Sequence, residues 1–513
     1  MTGTSTDARH TGDARHAARS GLVQVLTILL QAVTTGTQVI FARLFGPTVY
    51  GMYQVMVAVV ELATRGAPGG ADKGMLRYVA AARAAGNVEG VRRALGTGMR
   101  LCLFVSLGIS VGLFLGADAI GRALDLPSVA PALKIVAWIP PFAGIMITVV
   151  QATLAARVTR VNLLVRGLIE PTFLLCAGVT AWALGGRLRS LALAHATSAV
   201  LTAGVALWLL RGVFQPAELR HVLRAPRVRG FSAFSLTMAA SELMNVAYQR
   251  ADLLILTAYL GAEGAAVYGA TEFITRVVAN IRYAFDAIVA GVMAEAVELG
   301  DFERLRRNLQ LTTRWVVTVA ALLVGGVVVL RRELLTGLYG SAYAAGSGAI
   351  VILAAAHFFN ASVGLTMWIL VAGGRSRLAL INNVLGALLN VGASLFFVPR
   401  YGLVGAALAS LCTIVFVQSA ALVEAHVLYK VSPFSRALWK PLLAAACAMI
   451  VETIAHRSIA SPSLRLVVVL ASGLVVYLGA LVTFGLPEEE RHLALRLWRR
   501  ARAALGRSAP AGD

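Results

Sequence analysis

The stretch QRADLLILTAYLGAEGAAVYGATEFITRVVANIRYAFD, residues 249–286, decides how the whole chain is read. Its two apolar segments are long enough to sit in lipid, yet they carry Arg250, Asp252, Glu272, Arg276, Arg282 and Asp286. An ionisable side chain at membrane depth costs about 2.5 kcal/mol or more, so it faces a bundle interior or a wet cavity and marks a pathway. On an ideal helix at about 100° per residue, Glu272, Arg276, Arg282 and Asp286 fall within a stripe of about 120°, the width of a face turned inward.

Working outward, the composition makes the lipid setting general. The 513 residues are 58% hydrophobic and only 14% charged, with a mean hydropathy of +0.76, against about 25% charged in an average soluble domain. Residues 20–42, 135–156, 190–210, 378–399, 401–423 and 466–486 contain no Asp, Glu, Lys or Arg. Each run approaches or exceeds the roughly 20 residues that span the hydrocarbon. The chain therefore reads as an all-α polytopic membrane protein of about fourteen transmembrane helices. Its first nineteen residues are polar and the apolar run after them is too long for a signal sequence, so the first helix is expected to be retained. Cys102, Cys176, Cys412 and Cys447 all lie in apolar segments and read as packing residues, without disulfides or a metal site.

The net charge of +21 would suggest nucleic acid in a soluble chain, but its distribution follows topology. With the N-terminus inside, the inner segments hold 33 of the 46 Lys and Arg and the outer ones 10. This positive-inside bias places both termini in the cytoplasm, and no nucleic-acid partner is expected. Two inner loops, Gly69–Ala94 and Glu295–Asn308, space Met75, Leu76 and Val79, and Phe302, Leu305 and Leu309, as amphipathic surface helices would.

An internal repeat organises the whole. Phe45-Gly46-Pro47-Thr48-Val49-Tyr50-Gly51 is echoed by Leu260-Gly261 and Ala266-Val267-Tyr268-Gly269, and Asn87–Leu95 by Asp301–Leu309. Arg157 and Arg160 likewise correspond to Arg375 and Arg377. Six helices separate equivalent points, so the halves share one orientation and form two six-helix lobes related by a pseudo-two-fold along the membrane normal. The expected order is a tail 1–19, an N-terminal lobe 20–212, a basic linker 213–232, a C-terminal lobe 233–430, two added helices in 431–490 and a basic tail 491–513.

Ala42–Gly51 resembles the opening hairpin of Wzx-type polysaccharide flippases, in the multidrug/oligosaccharidyl-lipid/polysaccharide exporter superfamily. Pro399-Arg400-Tyr401-Gly402-Leu403-Val404-Gly405-Ala406-Ala407 is similar to a later segment of that family. The resemblance implies a flippase moving an undecaprenyl-diphosphate-linked oligosaccharide from the inner to the outer leaflet of the bacterial inner membrane. Its partners would be that substrate, membrane lipids, and the glycan polymerase and glycosyltransferases of one pathway. The uncharged first helix departs from lipid II flippases and from many multidrug exporters, which carry charge there.

Arg250, Arg276 and Arg282 are the candidate substrate-binding residues, because guanidinium groups bind diphosphate oxygens bidentately and stay charged. Asp252, Glu272, Asp286 and Glu61 are candidates for coupling or charge pairing. The alternative is self-neutralisation, since Glu272 and Arg276, and Arg282 and Asp286, are four residues apart and Arg250 is near Asp252. No phosphate loop, nucleophile elbow or metal helix occurs, so neither catalysis nor a cofactor is expected. An ion-coupled exporter of drugs or metabolites and a membrane glycan polymerase or ligase remain the rival classes.

Overall fold

In a computed structural model, the described residues, 36–485, are organised as helices joined by short turns, with no strand among them. A chain in lipid must satisfy every backbone N–H and C=O internally, and a helix does so within one segment. Nine described helices are long and apolar enough to cross a membrane, or ten with the bent pair Pro127–Val136 and Ile139–Ala155 as one span. The first predicted helix enters the description only from residue 36, and both predicted tails lie outside the described residues.

Three helical stretches fold back on themselves at one left-handed glycine: 36–66 at Gly46 (φ 72°), Phe231–Glu298 at Gly261 (φ 65°) and Ser376–Tyr429 at Gly402 (φ 55°). Side chains prove the reversals. Arg250 and Glu272, which flank Gly261, meet at 3.1 Å, and the Phe41 and Tyr53 rings, which flank Gly46, lie 5.7 Å apart. Across Gly402, a Cβ at Gly386 would touch Thr413 at 3.7 Å. The tips of the first two hairpins also touch, because Thr48 donates to Glu263 Oε1 at 2.9 Å and a Cβ at Gly51 would overlap the Ala262 carbonyl.

The repeat seen in sequence has a backbone cause. Left-handed residues recur in pairs 214 to 217 apart: Gly46 and Gly261, Gly86 and Gly300, Arg157 and Gly374, Gly185 and Gly402. After Gly86 and Gly300 come Asn87 and Asp301, which cap the helices Val88–Ala123 and Phe302–Val329 by accepting from Gly90 N at 2.7 Å and Arg304 N at 2.9 Å. Each cap satisfies an N–H that the first helical turn leaves without an internal partner.

Prolines mark two irregular places in the helices. Pro140 and Pro141 open the helix Ile139–Ala155, which is bent by 46° from the helix before it. Pro171 lacks the N–H that would continue the ladder, and the π-helical turn Leu163–Ile169 precedes it.

The described residues form two compact units. One holds those up to Ile274 with Leu335–Leu353 and Ser376–Val417; the other holds Thr275–Leu334, Ala354–Arg375 and those from Gln418 onward. In the first unit, Met75, Val79, Val149 and Val161 share one core, and Val55, Leu253, Leu256 and Tyr268 share another. In the second, Met293, Leu305, Leu309 and Ile369 pack together, while Ala321, Ala444, Ala448 and Tyr477 form a smaller cluster.

Two expectations are corrected. Ala71–Ala84 is a helix, but Met75 and Val79 are buried in the protein, and Gly74 lets the Phe231 ring approach closely. Around 295–308 no separate surface helix forms: the second hairpin runs to Glu298, the chain turns at Gly300, and Phe302 starts the next span. Leu305 and Leu309 are fully buried, because apolar faces at these turns gain more from close packing than from contact with headgroups.

Candidate functional site

The centre of the site is Arg250, on the first arm of the second hairpin. Its Nε donates to Glu61 Oε2 at 2.8 Å, its Nη2 lies 2.6 Å from the same oxygen, and its Nη1 donates to Glu272 Oε2 at 3.1 Å. Hairpin reversal at Gly261 brings Glu272 back beside Arg250, and Glu61 reaches it from the first hairpin. The near-neutral first hairpin thus supplies a carboxylate to the charged second one. One guanidinium satisfying two carboxylates with 14% of its side chain exposed is the paired arrangement that a charge at membrane depth requires.

Asp252 lies two residues on and has different partners. Tyr268 donates to its Oδ2 at 2.5 Å, Ser410 donates to the same oxygen, and its Oδ1 accepts from Leu253 N at 2.8 Å. The proximity of Arg250 and Asp252 in sequence therefore does not make them a salt bridge; a β-carboxyl two residues along a helix points to another face. Tyr50, the repeat partner of Tyr268, instead donates to the amide oxygen Gln38 Oε1 at 3.3 Å.

Arg65 extends the network, lying 3.8 Å from Glu61 and 3.6 Å from Glu242. Beside it a cavity of about 220 Å³ is lined by Glu61, Arg65, Arg166, Glu170 and His195, with apolar residues and Thr64, Ser198 and Thr202. Tyr53 and His195 Nδ1 meet at 3.3 Å at its edge. Arg65 and Arg166, counted only as part of the inner positive charge by the sequence, both line this cavity. The signal was present in Glu61-x-x-x-Arg65 and Arg166-x-x-x-Glu170, each a favourable four-residue spacing inside an apolar run. Among the described residues around Arg250 and this cavity, Glu61, Glu170, Glu242, Asp252 and Glu272 outnumber Arg65, Arg166 and Arg250.

Arg276 and Arg282 belong to the second unit. Arg282 is buried, with Nη1 donating to Gly364 O at 3.4 Å, and the missing Cβ of Gly364 leaves room for its Cδ. Arg276 is half-buried. The side chain of Asp286 lies outside the described residues. In the same unit Gln418 donates to Asn360 Oδ1 at 2.8 Å. The four cysteines are free thiols, and among the described residues no His, Cys, Asp and Glu group could hold a metal ion.

Left-handed hairpins, embedded charge and all-helical spans together describe a polytopic membrane protein. A family profile described as "Polysaccharide biosynthesis protein" matches residues 14–281, more than half of the chain, which therefore belongs to that family. Among solved structures, the lipid II flippase MurJ in an inward closed conformation is similar at TM-score 0.73 and 12% identity, covering 90% of this chain and 98% of that one. An inward-facing MATE family multidrug resistance transporter of the MOP superfamily is similar at 0.66 and 14%, covering 79% and 96%. A MOP superfamily transporter from Pyrococcus furiosus, described as having a binding pocket of reverse polarity, is similar at 0.59 and 14%, covering 80% and 95%. No curated protein matches the chain by sequence.

Proposed function

We propose that the protein flips an undecaprenyl-diphosphate-linked oligosaccharide from the inner to the outer leaflet of the bacterial inner membrane, with both termini cytoplasmic. Its two lobes alternate access to a central path, and a glycan polymerase and glycosyltransferases of the same pathway are its partners. The observation that carries this reading is that the two apolar arms flanking Gly261 hold Arg250 and Arg276 partly buried and Arg282 buried. A diphosphate crossing the membrane carries charge that must be matched along the way, and guanidinium groups match it without losing their own.

Arg276 and Arg282 offer guanidinium groups to the diphosphate, and Arg250 exchanges part of its carboxylate pairing for substrate, with Glu61 and Glu272 taking it back when substrate leaves. No chemical bond changes in this cycle.

The test replaces Arg276 and Arg282 by Ala, singly and together, and measures lipid-linked glycan in the outer leaflet at matched protein level. Each single change should lower delivery about tenfold, the effect of losing about 1.4 kcal/mol of a charge-assisted contact, and the double change should lower it further. Normal delivery in the double variant rejects the binding role. The excess of acids around Arg250 supports a second reading, an exporter of cationic drugs or metabolites on the same fold. Under it, loss of the protein would sensitise cells to such cations and leave glycan delivery intact.

A further inference from the structure

Among the described residues, Glu452 is the most deeply buried carboxyl of the second unit, with 1% of its surface exposed, in the helix Trp439–Ser458. Among the described residues nothing donates a hydrogen bond to its Oε2. The helices around it make room for it. A Cβ at Gly473 would overlap Oε1, and one at Gly325 would stand 3.0 Å from Oε2. One turn along its own helix is Ala448, buried with Ala321, Ala445 and Tyr477. An ionised carboxylate in such surroundings lacks the cation or donors that would offset its lost hydration, so the ligand this site fits is a proton.

A route for that proton lies one turn away. His456 is four residues further along the helix, about 6 Å along its axis, on the same face. Its Nε2 lies 2.7 Å from Glu333 Oε1, which also accepts from Arg465 Nη1 at 2.8 Å. With Nε2 donating to a carboxylate, Nδ1 is the nitrogen left to accept a proton. Imidazole and carboxylate side chains here are 28% and 13% exposed, so this cluster reaches water where Glu452 does not. The other charged groups at this end of the three helices are Arg331, whose Nη1 bonds Val328 O at 2.9 Å, Arg332 and the exposed Arg457.

We propose that Glu452 is a proton-binding site loaded from and emptied to the water at the Glu333–His456–Arg465 cluster, through the His456 imidazole. On release, the O–H bond of Glu452 breaks and its proton moves to His456 Nδ1. The imidazolium formed is held by the Glu333 carboxylate until a water takes the proton. Loading runs the same steps in reverse. The proposal goes beyond the flippase reading and does not depend on it, since a proton site would serve any cargo of this fold.

Infrared spectra of the full chain in lipid nanodiscs test it directly. The wild type should show a protonated-carboxyl stretch at neutral pH that disappears in Glu452→Gln and moves in Glu452→Asp. After transfer to deuterium oxide, His456→Gln should slow the isotope shift of that band roughly a hundredfold, the low end of what a positioned proton-transfer group contributes. Absence of the band in the wild type, or its persistence in Glu452→Gln, overturns the site. An unchanged exchange rate in His456→Gln overturns the route. Should Glu452→Gln fail to accumulate, Glu452→Asp keeps the assignment testable through its band position, and glycan delivery is not needed for any of these outcomes.

Discussion

Arg250 shows how a single residue can be both a candidate ligand and a structural tie. Removing it takes from Glu61 and Glu272 the guanidinium they share, although Arg65 still lies 3.8 Å from the partly exposed Glu61, so Arg250→Ala should destabilise the protein by about 3 kcal/mol, the low end for breaking a buried pair. Glu61→Gln leaves the Glu272 contact in place and should cost clearly less; thermal unfolding in detergent, followed for both variants, checks the order. Glu333 carries a pH dependence of its own. Burial pushes its carboxyl up, but Arg465, a backbone N–H and His456 together outweigh burial and hold it below the ordinary carboxylate range. A depressed folded value contributes stability above the ordinary carboxylate pKa that is lost as pH falls through the folded one. Melting temperature should therefore drop on acidification in the wild type, and Glu333→Gln should lack that part of the drop. Legibility at this scale was partial: the types and spacings of the charged residues were readable, but which acid meets which arginine was not. Glu61 and Arg250 are 189 residues apart, and no local periodicity reports such a contact.

Elements are governed by turns. Gly261 adopts φ 65° and ψ −166°, a region open essentially to glycine, and no atom lies within 4 Å of where its Cβ would be. Gly261→Ala should therefore cost about 1–3 kcal/mol through backbone strain alone. Asp301→Ala removes a helix cap and should cost about 0.5–2 kcal/mol, with Asn87→Ala alike because the two caps are equivalent. Denaturation midpoints of the three variants measure these costs, and a neutral Gly261→Ala would contradict the strained turn. The repeat was visible in sequence because such turns demand particular residue types: glycine for a left-handed backbone and Asn or Asp for a cap. The two surface helices were misjudged for a related reason. An amphipathic pattern reports that one face avoids water, and both lipid headgroups and a protein core answer to it.

For the molecule as a whole, the excess of Lys and Arg in alternate loops sets an orientation that can be measured. A cysteine introduced at Asp301 should be protected from a membrane-impermeant thiol reagent in intact cells, and one at Arg187 should be labelled; the opposite pattern would reverse the topology. By itself the sequence determined that this chain is a bundle of membrane helices with a repeated order of turns. Apolar length, charge bias and turn chemistry are local properties, written into consecutive residues. Only tertiary structure decided that Arg250 is shared by Glu61 and Glu272, that Asp252 is served by Tyr268 and Ser410, and that Arg65 and Arg166 line a cavity. Those pairings depend on which helix faces pack together, and packing is settled by side-chain volume and fit across hundreds of residues.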